Sequence, residues 1–206
     1  GSKTFQVGAN ANETISVGLT SIKASAIGSN RIDLASTTIG GLGQGGTTGA
    51  GDVTGGNNVA ASSYSVVGRD GTTQTVTTVG DEEASSIASK FNALSNKTGV
   101  TADARTQVEL SALGATANVT FELNGTAIST AANFASMAIA INEKSGQTGV
   151  SAATNEAGNL ILTDETGKDI DIKDFKESGA TGTVVAKGMS YSGTAGVAVT
   201  LGAATG

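Results

Sequence analysis

Residues 141–172 read INEKSGQTGVSAATNEAGNLILTDETGKDIDI, and the fold turns on what this stretch repeats. Its TGVSA (148–152) matches TGVTA at 98–102, so Val150 and Val100 stand 150 − 100 = 50 residues apart. A helical pattern precedes each anchor. In the first copy Ala84, Ile87, Ala88, Phe91 and Leu94 recur at three- and four-residue steps; in the second Phe134, Met137, Ala138 and Ile141 form the matching stripe. These spacings predict two amphipathic helices whose apolar residues lie in cores. Asp81 is the expected N-cap of the first, with Glu82 and Glu83 at its positive end and Gly99 just past its C-terminus. Ser129 or Thr130 is expected to cap the second, with Lys144 at its negative end and Gly146 ending it.

Alternating strands flank both helices. Upstream are SYSVVG and TQTVTTV in the first copy, and NVTFELNG and TAIST in the second; downstream are VTADARTQVELSA and VSAATNEAGNLILTDETGKDIDI. Each copy thus reads as an antiparallel sheet covered on one face by one helix. At the N-terminus TFQVGANANETISVGLTSI (4–22) alternates on both sides of GANANE, a hairpin signature with a long loop. Residues 40–58 are too glycine-rich to offset their ordering entropy by burial, and are expected to be a loop or irregular edge. The last alternating stretch, 184–201, is expected to return and pair with the early hairpin.

The expected fold is therefore α+β and β-rich, with two small units of antiparallel sheet plus one helix joined to a β-hairpin stem. Its divisions are a stem at 1–28, a Gly/Thr-rich loop at 29–58, repeats at 59–113 and 114–176, and returning strands at 177–206. Gly1-Ser2 is read as a cloning scar and the chain as a piece of a longer one.

Composition removes much chemistry. The 206 residues include no Cys, His, Pro or Trp, against 30 Gly. Without His or Cys there is no Ser-His-Asp triad, thiol nucleophile, disulfide framework or usual zinc site. The net charge of −6 and the lack of a basic patch with interleaved aromatics argue against nucleic acid. No apolar run approaches the ~20 residues needed to span a bilayer.

The remaining motifs are weak. Gly41, Gly43 and Gly46 fit G-x-G-x-x-G, but more Gly and Thr follow where a phosphate-binding helix would have to start. GMSYSG (188–193) does not fit a nucleophile elbow and reads as strand. Sequons at Asn12, Asn96, Asn118 and Asn124 are expected by chance in a chain this rich in Asn and Thr. The acidic run TDETGKDIDIKDF (163–175) fails the EF-hand register: from Asp164, position 3 is Thr166, Gly167 falls at position 4, and no Glu holds position 12. It reads as a hairpin, with Gly167 at positive φ and Asp169, Asp171 and Lys173 on a solvated strand face. A bulge or strand end is expected near Lys173–Asp174. No residue is assigned to catalysis, to a cofactor or to a metal, and no cofactor is expected.

TFQVGANANETISVGL (4–19) resembles the stretch of bacterial flagellins that leads from their helical core into variable outer domains. Residues 141–172 resemble the flagellin hook-type IN motif, with 91–113 a shorter copy. The bias toward Ala, Thr, Ser, Asn and Gly is also similar to that family. The resemblance implies a non-enzymatic structural subunit of the flagellar filament, extracellular and exported without a cleaved signal peptide. This chain would be its surface-exposed part, with polymerising helices elsewhere. Implied partners are other flagellin subunits, and on the exposed surface host receptors, antibodies or glycans, with no nucleic acid or membrane partner. The fragment itself is expected to be monomeric. The alternative is an adhesin, or a hook-associated or cap-type module with the same repeats, binding host glycans or mucin.

Overall fold

The computed structural model describes residues 2–6, 14–18, 57, 59–68, 70–179 and 182–202. The chain divides into two units, residues 1–33 and 34–206. In the first, β1 (Ser2–Gln6) and β2 (Thr14–Gly18) pair antiparallel with Phe5 opposite Ile15.

The second unit is α+β and built from small antiparallel sheets. Its first described elements are a hairpin of β3 (Ser62–Val67) and β4 (Thr73–Thr78). Helix α1 (Ala84–Ala93) follows, then one more helical turn, α2 (Ser95–Thr98). Ile87 and Phe91 face inward and meet Val59 and Val76 in a small apolar cluster. The long β5 (Thr106–Gly114) leads to a hairpin of β6 (Val119–Leu123) and β7 (Thr126–Thr130), whose turn is Asn124-Gly125. Both turn residues have positive φ, 47° and 75°, as a two-residue turn matched to strand twist requires. Then come α3 (Phe134–Glu143), α4 (Ser145–Thr148), β8 (Ser151–Thr154), β9 (Leu160–Asp164), β10 (Ile172–Glu177), β11 (Thr183–Met189) and β12 (Ala195–Leu201).

Five of these strands form one sheet in the order β12-β11-β5-β9-β8, and three form another in the order β10-β6-β7. Alternation fixes which side chains turn inward. In β6 Val119, Phe121 and Leu123 are buried, and in β9 Leu160, Leu162 and Asp164. Apart from Asp164, these residues form one continuous core with Met137 and Ile141 of α3, Phe175 of β10 and Val184 of β11. Phe121 and Phe175 stack within it at 5.8 Å between ring centroids.

Several expectations are corrected. The stretch 184–201, expected to pair with the early hairpin, pairs within the second unit instead: β11 pairs with β5 and β12. β5, at the end of the first repeat, offers β11 a partner along Gln107–Gly114, so it is the middle strand of the larger sheet. The repeat boundaries in sequence are thus not boundaries between sheets. Asp81 does not cap α1. It sits two residues before the N-cap at φ 56°, and Glu83 takes the N-cap position without a capping bond to a backbone amide, its carboxylate accepting instead from the Ser85 hydroxyl at 3.1 Å. Ser129 and Thr130 lie within β7, too early to reach α3, whose cap is Asn133, its Oδ1 accepting from the Ser136 amide at 2.8 Å. Gly146 lies inside α4; the left-handed residue that ends the helical run is Gly149, φ 76°, matching Gly99, φ 69°, in the first copy.

Candidate functional site

The repeat anchors carry a lock that recurs atom for atom. Asn142, at the end of α3, donates from Nδ2 to the Ala152 carbonyl and accepts at Oδ1 from the Ala152 amide, both at 2.8 Å. Asn92, fifty residues earlier (142 − 92 = 50), does the same to Ala102 at 2.9 and 2.8 Å. Thr148 and Thr98 form the second part: each hydroxyl donates to the carbonyl of residue 144 or 94, and accepts from the amide of Val150 or Val100. An Asn amide presents one donor and one acceptor side by side, so it completes a backbone pair as a neighbouring strand would. The sequence shows this signal as the shared Asn in FN (91–92) and IN (141–142), fifty residues apart, but its pairing with the strand start emerges only from the fold.

The acidic run 163–175 is the second candidate, and its hairpin expectation is corrected. β9 pairs with β5 and β8 whereas β10 pairs with β6, so the run carries the chain from one sheet to the other. Ile170 and Ile172 are both buried in the core, which draws the chain across rather than back along β9. Asp164 is 2 % exposed, and its Oδ1 accepts from the Thr166 amide at 2.7 Å and hydroxyl at 2.6 Å, a side-chain-stabilised turn. Gly167 has φ 77° as expected. Its carbonyl accepts from the Ser85 amide at 2.9 Å, supplying a partner to the first turn of α1. A Cβ at Gly167 would lie 2.5 Å from Ala104 Cβ, so both conformation and space demand glycine.

Asp169 and Asp171 are not merely solubilising. Asp169 is half-buried and accepts from Asn57 Nδ2 at 3.0 and 3.2 Å. Asn57 also donates to the Glu82 carbonyl at 3.0 Å and accepts from the Val59 amide at 2.9 Å. Burial pushes the Asp169 carboxyl above its ordinary range; the Asn57 bond opposes this, while Glu83, Asp171 and Asp81 reinforce it. The Asp171 backbone exchanges bonds with Asn124, at 2.7 Å to Asn124 Oδ1 and 2.9 Å from its amide, and the Asp171 side chain pairs with Lys173 at 3.1 Å. Asn124 Nδ2 donates to the Thr148 carbonyl at 2.8 Å, so this sequon's side chain is engaged within the fold. The expected bulge is present: the β10–β6 register shifts between Lys173 and Lys176, and Asp174 has φ 52°.

Two carboxylates do more than the sequence suggests: Glu177 has no expected role, and Glu82 is expected only as a charge at the positive end of the first helix. Glu177 is buried, and its Oε1 accepts from the amides of Thr116, at 2.7 Å, and Ala117, and from the Thr116 hydroxyl. Those amides hold its carboxyl below the ordinary range. Glu82 is buried against Lys90, at 2.6 Å, and accepts from the Val79 amide, which lowers it likewise. No sequence motif marks Glu177; an isolated Glu reads as surface until the chain folds over it.

The other sequence candidates are placed as follows. Gly41, Gly43, Gly46 and Asn12 lie outside the described residues. GMSYSG is the end of β11 plus a tight turn in which the Ser190 amide donates to the Thr194 carbonyl. Arg105 lies over the Tyr191 ring of that turn, 4.6 Å from its centroid, and donates to the Tyr191 carbonyl. A shallow groove of about 220 Å³ runs over β6 and β7, lined by Thr120, Glu122, Ala127, Ser129, Asp174 and Lys176 among others. Among the described residues no group of three or more acidic side chains is arranged to hold a metal ion, and no helix is long and apolar enough to cross a membrane. Asp164, Asn57, Asn92, Asn124, Asn142 and Glu177 all direct their polar atoms at backbone, turn or neighbouring-loop groups. That arrangement ties elements of the fold to one another. No protein-family model matches the chain, and no curated protein matches it.

Proposed function

We propose that this chain is the outer, surface-exposed portion of a bacterial flagellin, a structural subunit of the extracellular flagellar filament, and not an enzyme. The observation that carries the proposal is the resemblance of residues 4–19 to the flagellin segment between helical core and outer domains. In support, that stretch spans the paired strands β1 and β2, and the two IN-like repeats use their polar residues for internal locks. The physical task of such a domain is to stay folded on a polymer surface without disulfides. Here asparagine locks, buried carboxylates and one continuous core serve that end.

Immunogold electron microscopy tests it, using antibodies raised against this chain on the cells that produce it. Label along the filament is expected. Label confined to the filament tip or the hook junction favours the cap or hook-associated alternative, and label absent from flagella refutes both.

A further inference from the structure

Asn124 is the one asparagine of the chain that a glycine follows, and it stands at a joint between elements. Its Nδ2 donates to the Thr148 carbonyl at 2.8 Å, its Oδ1 accepts from the Asp171 amide at 2.7 Å, and its own amide donates to the Asp171 carbonyl at 2.9 Å. One residue of the β6–β7 turn therefore ties that hairpin to the last residue of α4 and to the segment that enters β10. The β3–β4 turn of the first copy is built otherwise: Asp70, before Gly71, accepts from the amide and hydroxyl of Thr72 within the same turn.

An Asn-Gly pair carries its own nucleophile. With no Cβ on the second residue, the glycine backbone nitrogen can come close to the asparagine Cγ. A bond forms between that nitrogen and Cγ, the Cγ–Nδ2 bond breaks, and the glycine amide proton leaves with Nδ2 as ammonia. Water then opens the cyclic imide, at one carbonyl to aspartate and at the other to isoaspartate, which routes the main chain through the side-chain carbon. Steric cover does not protect this pair: Gly125 is exposed, and among the described residues no atom lies within 4 Å of where its Cβ would stand. What restrains it is attachment. The amide that must swing onto the Gly125 nitrogen is held on Thr148 and Asp171, and the backbone is set at φ 47° and 75° by the two-residue turn.

We propose that Asn124 is a self-modification site gated by the joint it makes. It deamidates by attack of the Gly125 nitrogen, with water as the co-reactant, slowly while the joint is closed and faster when it opens. The product does not restore the joint. Aspartate at 124 has lost the donor and turns a carboxylate oxygen toward the Thr148 carbonyl, one acceptor against another. Isoaspartate adds a main-chain atom to a turn whose two residues set the β6–β7 register. Each opening that ends in reaction thus removes the tie for good, and the chain keeps a chemical record of the time this joint has spent open.

The full 206-residue chain is incubated at mildly alkaline pH, folded and in denaturing urea, and conversion of Asn124 is followed by peptide mass spectrometry. The folded chain should react at least about tenfold more slowly than the unfolded chain, equivalent to about 1.4 kcal/mol of opening free energy. T148A removes the hydroxyl bonds that place the Thr148 carbonyl and should speed conversion in the folded chain. T98A, the same change in the first copy, should leave the rate unaltered. N124D, which mimics one product, should unfold at lower urea than wild type at neutral pH. Equal rates in folded and unfolded wild type overturn the proposal, and that comparison holds even where T148A fails to fold. Equal acceleration by T148A and T98A, or N124D with the wild-type midpoint, also overturns it. The test is independent of the flagellar assignment, since it is read on the isolated chain.

Discussion

Replacing Asn142 by alanine removes both bonds that tie α3 to the start of β8. Each such bond contributes about 1 kcal/mol net, and an amide or carbonyl left without a partner costs about 1–3 kcal/mol when buried. Ala152 is only 8 % exposed, yet it sits at a sheet edge where water can partly replace the amide. The expected cost of N142A is therefore about 2–3 kcal/mol. For a unit of this size that lowers Tm by roughly 4–12 °C, at ~2–4 °C per kcal/mol. N92A removes the equivalent pair at Ala102, but there the bonds are solvent-exposed and no strand follows directly, so about 1 kcal/mol is expected. N142D separates shape from chemistry: a carboxylate still accepts from the Ala152 amide but faces its carbonyl without a proton to donate. It should be worse than N142A at pH 7 and recover below the carboxylate's pKa. Urea unfolding of the wild type and three variants, fitted with a common m-value, reads all of this. Refutation would be N142A within about 0.5 kcal/mol of wild type, or N92A costing more than N142A.

Other substitutions probe the crossing between sheets. G167A should cost about 3 kcal/mol or more by urea melting, whereas G158A, also at positive φ (78°) but with open space around it, should cost about 1 kcal/mol. The raised pKa of Asp169 means that its ionised form opposes folding: its contribution is fully present below the ordinary value of 3.8 and is lost as pH rises through the folded pKa. D169N, which keeps an acceptor for Asn57, should accordingly gain on wild type at pH 7 and lose that advantage near pH 3. Glu177 has the opposite sign: its depressed pKa gives stability above the ordinary 4.5 that fades as pH falls. E177Q should be less stable than wild type at pH 7 and match it in acid, as read by denaturant melts across pH.

Much of the architecture is legible because burial writes periodicity into sequence. Ile87 and Phe91, Met137 and Ile141, and the alternation of VTFEL and LILTD are core residues where the pattern puts them. Pairing partners are not legible in that way. The run LILTDETGKDIDI alternates as a hairpin does, and nothing local says that Ile170 and Ile172 belong to the other sheet. The helix starts failed for a related reason. Asp81 and Thr130 have the right chemistry, but Asp81 sits in a turn at φ 56° and Thr130 is still the last residue of β7, which leaves Glu83 and Asn133 at the caps. For α1, the first-turn partner of Ser85 comes from Gly167, 167 − 85 = 82 residues away, which no window of sequence can contain. The Asn92 and Asn142 locks were visible only as a coincidence of spacing, and Glu177 not at all.

The place of β5 has a consequence for how the chain acquires its shape. A chain made from its N-terminus completes β3, β4 and α1 early, but β5 at Thr106–Gly114 then has neither neighbour, since β9 and β11 are still to come. Both edges of this nine-residue strand stay open until β9 has emerged, and the edge that meets β11 stays open until about residue 190. Such non-local pairing is slow to form and exposed to wrong partners while it waits. The polar Gln107 and Glu109 on that strand, both partly buried in the finished sheet, make the interval safer than an all-apolar strand would. Truncations ending near residue 113 should be aggregation-prone, although they contain the first repeat entire.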